Sequence, residues 1–207
     1  MRYSDFTPAQ VREVGRIIGG ASAVKRLLAR KLVVVPTEGW KPLRKSKLES
    51  NGCSSLVYWG HHIPSAYFKS GNGLHVGKSF YTTIIRAAAQ AVLSGSTGKH
   101  VCMSRYYLKA QLSGRELMTL CPSAVFHATE FCPILARMLD LSAQGRGPLT
   151  NNARTKLFLV EAVFGRVYVA VVHWQPAQSG SGKWQLSTET LDRVWMPGGE
   201  FFGRHSL

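Results

Sequence analysis

The run Lys156-Leu157-Phe158-Leu159-Val160-Glu161-Ala162-Val163-Phe164, then Gly165-Arg166, then Val167-Tyr168-Val169-Ala170-Val171-Val172-His173-Trp174 is the clearest structural signal in the chain. Both halves are rich in β-branched and aromatic residues, and a glycine stands where they must reverse. The pattern predicts two antiparallel strands, 156–164 and 167–174, in a tight hairpin. Upstream, residues 126–141 read as helical, with Phe131, Ile134, Leu135, Met138 and Leu139 apolar. Pro133 lacks the N–H that a helix interior uses, so the helix is expected to begin there, with Cys132 just before it. Residues 144–152 read as a flexible connection. Downstream, 175–182 is a Gly/Ser-rich loop, 187–195 a last short helix, and Pro197-Gly198-Gly199 releases the tail.

Further upstream the signals are shorter. Thr7 caps a helix with Pro8 at its first position and Val11, Val14, Ile17 and Ile18 on one face. Gly19-Gly20 ends it, and Ser22 opens a second helix with Val24, Leu27 and Leu28 inward. The pair reads first as an ordinary helical hairpin and second as a DNA-reading helix-turn-helix. Leu32-Val33-Val34-Val35 is a strand ended by Pro36, and residues 54–59 form another. Residues 70–77 hold Gly71, Gly73 and Gly77 and read as loop. Ser79 starts a helix through Phe80, Ile84, Ile85, Ala88 and Leu93, closed by Gly95. Residues 108–120 are mixed and broken by Gly114. The expected fold is therefore α+β, with helices packed on a small antiparallel sheet in a single compact domain. Its segments would be 1–35 (helical hairpin plus strand), 36–120 (a basic region) and 121–207 (helix, hairpin and last helix).

Composition narrows function. The 207 residues carry 26 Lys/Arg against 11 Asp/Glu, a formal charge of +15, with 45% apolar residues. That apolar share builds a real core and excludes a disordered basic tail. The charge makes nucleic acid the first partner to consider. No signal peptide, long apolar run or lipidation motif is evident, so no membrane partner is expected. Four irregularly spaced cysteines do not read as a disulfide framework, and a reducing, cytoplasmic setting is expected.

Residues 51–115 contain no acid at all, yet hold Lys69, Lys78, Arg86, Lys99, Arg105, Lys109 and Arg115. A window that long should hold roughly three or four acids at the chain's average. Aromatics are interleaved: Tyr58, Trp59, Tyr67, Phe68, Phe80, Tyr81, Tyr106 and Tyr107. Cations neutralise phosphates and rings offer platforms to unpaired bases, although most of these rings belong in the core. Gly77-Lys78-Ser79 resembles the end of a P-loop, but position 72 is Asn72 where that motif needs glycine. A run like the second NTPase motif stands at Leu157 to Glu161, without the alternating strands and helices that would support it. The feature that survives is Lys78 with backbone N–H groups at a helix start, suited to a phosphate.

Catalytic and metal signatures are thin. Cys53 and Cys102 each lack the second thiol of a C-x-x-C pair, because Leu56 and Arg105 stand there. A substitute zinc set drawn from His61, His62, His75 or His100 is chemically allowed, but isolated buried cysteines are commoner, so no cofactor is expected. No carboxylate pair, HExxH or G-x-S-x-G is present. A metal-independent ribonuclease needs a histidine or lysine as acid–base; His100, His127 and His173 could serve, and nothing selects them.

The order Cys53-Ser54-Ser55-Leu56, Gly60-His61-His62-Ile63-Pro64, Gly77-Lys78-Ser79-Phe80 and Lys99-His100-Val101-Cys102-Met103-Ser104-Arg105 resembles the large-subunit (Cas-eight-like) proteins of type IV CRISPR effector complexes. The second cysteine of each pair, which that family uses for zinc, is missing. The resemblance implies a non-catalytic subunit at one end of a guide-RNA ribonucleoprotein. It would contact the guide RNA 5′ end and the short motif flanking the target in double-stranded DNA, beside other effector subunits and a separate helicase. Read from the residues, Lys41, Arg44, Lys45, Lys47, Lys69, Lys78, Lys99, Arg105 and Lys109 are the expected phosphate contacts. Asn72 is the expected base reader, since a carboxamide can pair with an adenine edge. Two rival readings stand beside this one. One is a stand-alone DNA-binding regulator using the N-terminal helix pair, and the other is a small ribonuclease or toxin.

Overall fold

The hairpin at 156–174 forms, but as the middle of something much larger. A computed structural model describes residues 47–204 except 60–63, 72, 91–97 and 178–181, with the side chains of Trp59, Gln90, Gly98, Lys99 and Val163 also outside the description. The described residues belong to one compact unit, Leu43–Leu207. The expected helices and strand of 1–35 lie outside the described residues, as do Lys41, Arg44, Lys45 and Asn72.

The described residues form ten strands in chain order: β1 (Leu48–Trp59), β2 (Leu74–Val76), β3 (Gly98–Leu108), β4 (Leu112–Ser113), β5 (Phe126–His127), β6 (Lys156–Glu161), β7 (Val167–Gln175), β8 (Lys183–Glu189), β9 (Val194–Trp195) and β10 (Glu200–Arg204). Eight of them make one mixed sheet in the order β1-β3-β10-β6-β7-β8-β2, with β5 also on β6, while β4 and β9 pair separately. β10–β6, β5–β6 and β8–β2 are parallel and the other pairings antiparallel. The expectation of helices on a small antiparallel sheet is thus corrected: the molecule is sheet-dominated, and its sheet is large and mixed.

Two misreadings and one stretch left without an expectation account for the difference. The tail is no release segment. Glu200–Arg204 is a central strand, antiparallel to β3 and parallel to β6. The expected helix over 187–195 is instead the end of β8, a turn and β9. Lys183-Trp184-Gln185-Leu186 alternates polar and apolar, and Trp184 and Leu186 are the buried pair, the period of a half-buried strand. Third, β3 is an eleven-residue strand in which Val101 and Met103 are buried.

Period-two alternation sends each strand's side chains to two different cores. Phe158 and Val160 of β6, Ala170 and Val172 of β7 and Phe202 of β10 join a core built with the long helix α5 (Ala128–Ala143) and α1 (Pro64–Tyr67). A second cover on this face runs through α2 (Lys78–Phe80), a π-helical stretch Tyr81–Ile85 and α3 (Arg86–Gln90), burying Phe80, Ile84, Ile85 and Ala88. Leu157, Leu159, Val169, Val171 and Phe201 turn the other way, toward α4 (Gly114–Leu120) and Trp195. Ser113 and Glu116 close a capping box at the start of α4, each side chain bonded to the other's backbone N–H. Phe158 stacks on Phe202, its register partner, with centroids 5.1 Å apart and planes 12° apart. Such a pair contributes about 1 kcal/mol beyond its burial.

Helix α5 starts at Ala128, five residues before the expected Pro133. Pro133 removes a single hydrogen bond early in the helix, and Phe131, Cys132, Ile134 and Leu135 around it are fully buried. Packing outweighs the lost bond. The strand at 156–164 likewise ends at Glu161. A 3-10 turn, Val163–Gly165, follows, with Phe164 at φ 60° and 95% exposed.

Candidate nucleic-acid interface

β6 and β7 run antiparallel, so one end of the sheet gathers the start of β6, the end of β7 and the start of β8. A cavity of about 860 Å³ opens there on the α5 face. Its aromatic wall is Trp174 and Trp184, register partners on β7 and β8, set edge to face with centroids 5.1 Å apart. Tyr67 of α1, Leu139 and Asp140 of α5, Leu74 of β2 and Asn151 complete the lining. Lys69, Ser70, Gly71 and Gly73 form the rim.

The local sequence explains the shape. Ser70 Oγ accepts the Val76 N–H at 3.1 Å, and Gly71 and Leu74 exchange backbone hydrogen bonds, which folds the glycine loop back on itself. Trp184 N–H donates to the Gly73 carbonyl at 2.8 Å and ties that loop to β8. Gly182 must be glycine here. A Cβ at that position would lie 2.5 Å from the Gln175 carbonyl and 2.6 Å from the Trp174 ring. Gly77 meets the same limit, 2.9 Å from the Leu186 carbonyl, and so holds the start of α2 against β8. Tyr67 Oη donates its one proton to Asp140 Oδ1 at 2.6 Å, with the Ala136 carbonyl 3.1 Å away. Burial, that hydrogen bond and the Asp140 charge together push the Tyr67 phenol well above its usual range. Asn151 Oδ1 accepts from Ser142 Oγ at 2.8 Å, which orients its amide group.

Beside the cavity a row of charges runs across the sheet. Glu200 of β10 is in register with Tyr107 of β3 on one side and Lys156 of β6 on the other. Lys156 and Glu200 are fully buried. Arg105 donates to Glu200 at 2.9 Å, and its guanidinium lies 5.4 Å from the centre of the Tyr107 ring and 5.9 Å from that of Phe202. Lys156 Nζ stands 5.2 Å from the centre of the Trp184 ring. It donates to Asn152 O at 3.1 Å, Asn152 Oδ1 at 2.7 Å and Arg154 O at 2.8 Å. Burial pulls its ammonium down to about 8. Glu200 opposes that shift, while Arg105 and Arg154 add to it. Glu200 Oε2 and Arg105 Nε are buried with no hydrogen-bond partner among the described residues.

Of the nine expected phosphate contacts, five have described side chains, and three of those five are already engaged. Lys47 pairs with Glu116 at 2.9 Å, Lys109 with Glu49 at 2.6 Å, and Arg105 with the buried Glu200. The Lys99 side chain lies outside the described residues. Lys69 and Lys78 are exposed and have no carboxylate partner among the described residues, and they flank the glycine loop at the cavity. Of the interleaved aromatics, Tyr58, Phe68 and Phe80 are core residues. Tyr67, Tyr106 and Tyr107 are half-buried, and Tyr81 is exposed. Sequence reasoning missed Trp174, Trp184, Asp140 and Asn151. The two tryptophans stand ten residues apart across a strand turn, and only knowing that 183–189 is a strand brings them together.

Cys53 and Cys102 are diagonal neighbours on β1 and β3, since Cys53 faces Ser104 and Cys102 faces Ser55. Among the described residues, no group of three His, Cys, Asp or Glu side chains is placed to hold a metal ion. His100 is exposed on β3, His173 lies on β7, and His127 contacts Glu161 at 3.3 Å on β5 and β6. None of the three lines the cavity. Among the described residues, no helix is long and apolar enough to cross a membrane. Comparison with protein-family profiles, with curated proteins and with solved structures gave no match.

Proposed function

We propose that the chain binds single-stranded nucleic acid without cleaving it, holding an unpaired base in the cavity at the sheet end. The aromatic cavity carries this reading: Trp174 offers a partly open ring, Asp140 and Asn151 offer hydrogen-bonding edges, and Lys69 stands on the rim for a backbone phosphate. Stacking on an aromatic ring is indifferent to sequence, whereas a carboxylate favours bases that present N–H donors. Long-range charge supports the same partner, because +15 over 207 residues draws a polyanion from a distance. The described carboxylates are largely consumed by Lys47, Arg105, Lys109, Arg115 and Arg204, and of the expected contacts with described side chains Lys69 and Lys78 remain for an external anion. A cavity without a histidine among its described lining favours binding over acid–base cleavage.

The finer assignment is a subunit of a type IV CRISPR ribonucleoprotein, and it rests on the resemblance between Cys53 and Arg105. In that setting the 5′ end of the guide RNA, a single strand, would be the cavity's occupant. The duplex flanking motif would fall to Lys41, Arg44, Lys45 and Asn72.

Fluorescence anisotropy with labelled single-stranded RNA and DNA tests the first statement. Trp174→Leu should weaken binding roughly tenfold, the scale of one base–ring contact. Lys69→Ala should reduce the slope of log K against log salt by about 0.7. Wild-type protein that ignores single strands, or binding that Trp174→Leu leaves unchanged, overturns the proposal. Purification from the native host tests the second. Short RNAs of uniform length with several partner proteins support the guide complex, and their absence removes it.

A further inference from the structure

A second cavity, of about 680 Å³, lies at the same end of the sheet on the opposite face. It is lined by Asn152–Thr155, Leu157 and the segment from Arg193 to Gly199. No acid lines it among the described residues, but Arg154 and Arg193 do. The Arg193 guanidinium lies 6.0 Å from the centre of the Trp195 ring. Trp195 Nε1–H is buried and has no acceptor among the described residues. Met196, at its mouth, is 69% exposed. The Arg193 guanidinium, an aromatic ring, an unsatisfied donor and an open thioether form a surface that invites an anionic, partly apolar ligand, while the Arg154 guanidinium turns back across the ridge toward Tyr107 and Glu200.

The two cavities meet at one peptide bond. Asn151 lines the first and Asn152 the second, so about 3.8 Å of backbone separates their linings. The ridge between them is firmly held. Lys156 clamps Asn152 and Arg154 from below, Asn152 Nδ2 donates to Thr150 Oγ1 at 2.8 Å, and the Arg154 N–H donates to Asn152 Oδ1 at 3.1 Å. Arg154, half exposed, also reaches over the Tyr107 ring at 4.7 Å. A fixed ridge with a cation beside it and an aromatic recess on each side costs a ligand little ordering of the protein.

We propose that the second cavity is a further nucleotide subsite, and that one single strand crosses the Asn151–Arg154 ridge with a base on each side and a phosphate near Arg154. This rests on the reading of the first cavity as a base pocket. The ligand is a flexible polyanion with flat apolar groups, and single-stranded nucleic acid has that chemistry. An acidic peptide lacks regular rings, and its capture is an outcome the test detects.

The experiment is a length series of single-stranded oligonucleotides, from two to ten nucleotides, titrated into wild-type protein and into Trp174→Leu, Arg193→Ala and Met196→Asp. Met196 is exposed, so its variant folds even where changes at Trp195 do not. For wild type, affinity should step up once the oligonucleotide is long enough to cross the ridge. Arg193→Ala and Met196→Asp should each remove the step, weakening long oligonucleotides roughly tenfold while leaving the shortest unchanged. Should both variants keep the step while Trp174→Leu weakens every length, the second subsite is refuted and the first pocket stands. Wild-type protein that binds no oligonucleotide at any length, or that binds an acidic peptide in preference, removes both.

Discussion

Replacing Lys156 with methionine isolates one buried charge. The side chain is fully buried and donates three hydrogen bonds to Asn152 and Arg154. Methionine fills a similar volume and makes none of them. Bonds to a charged donor are each worth roughly 1.5–3 kcal/mol, and burial of the ammonium costs part of that back. The pull from 10.5 to about 8 corresponds to roughly 3 kcal/mol of that cost at neutral pH. A net loss of about 2–3 kcal/mol at pH 7 follows for Lys156→Met. The pH dependence is sharper still. Between pH 8 and 10.5 the unfolded chain holds this proton and the folded one has released it, so wild-type stability gains with rising pH. The gain is at most about 1.4 kcal/mol per unit. Cys121, Cys132, Tyr58 and Tyr67, all raised by burial, act the opposite way above about pH 9. They are common to both proteins and cancel in the difference. Urea unfolding followed by tryptophan fluorescence, at fixed ionic strength, should show the gap between wild type and variant widening by about 1.5 kcal/mol from pH 8 to 9.5. A gap that stays flat or narrows refutes the buried, deprotonating lysine. A gap under about 0.5 kcal/mol at pH 7 refutes the clamp.

Gly182→Ala places a methyl group against the Gln175 carbonyl and the Trp174 ring. It should cost about 1–3 kcal/mol in urea unfolding and weaken single-strand binding by displacing that ring. Phe164→Asn should do the reverse. The position is at φ 60° and almost fully exposed, so a residue that tolerates the left-handed region should raise stability by about 0.5–1 kcal/mol in the same assay. Cys132→Ser puts a hydroxyl into the fully buried core of α5. It should lower stability by about 1–3 kcal/mol, measurable as a fall in Tm.

What could be read from sequence was local and strongly periodic. The β6–β7 pair and the buried face of the helix starting near Lys78 were legible because β-branched and aromatic residues crowd both arms of 156–174 around the glycine turn and Phe80, Ile84, Ile85 and Ala88 recur on one side. The sheet's size was not legible, because its central strand is only Glu200 to Arg204. A five-residue strand offers little periodicity, and its Glu200 is buried against Arg105, which no pattern rule anticipates. The long acid-free stretch pointed to cations in number, but pairing decides which of them are available. Lys47, Arg105 and Lys109 find carboxylates 69, 95 and 60 positions away. Trp174 and Trp184 become one wall only through strand register.

The place of β10 also sets the order in which the molecule can be made. Among the described strands, β1–β3 on one side and β6–β7–β8–β2 on the other are joined only through β10. As the ribosome extends the chain from its N-terminus, each half can form early. The two cannot be joined until residues 200–204 have been synthesised and inserted between β3 and β6. Until that moment two open edges, one on each half, face each other as templates for any passing strand. A stall or a premature stop before Glu200 therefore leaves two half-sheets with exposed edges, a species destined for aggregation or degradation.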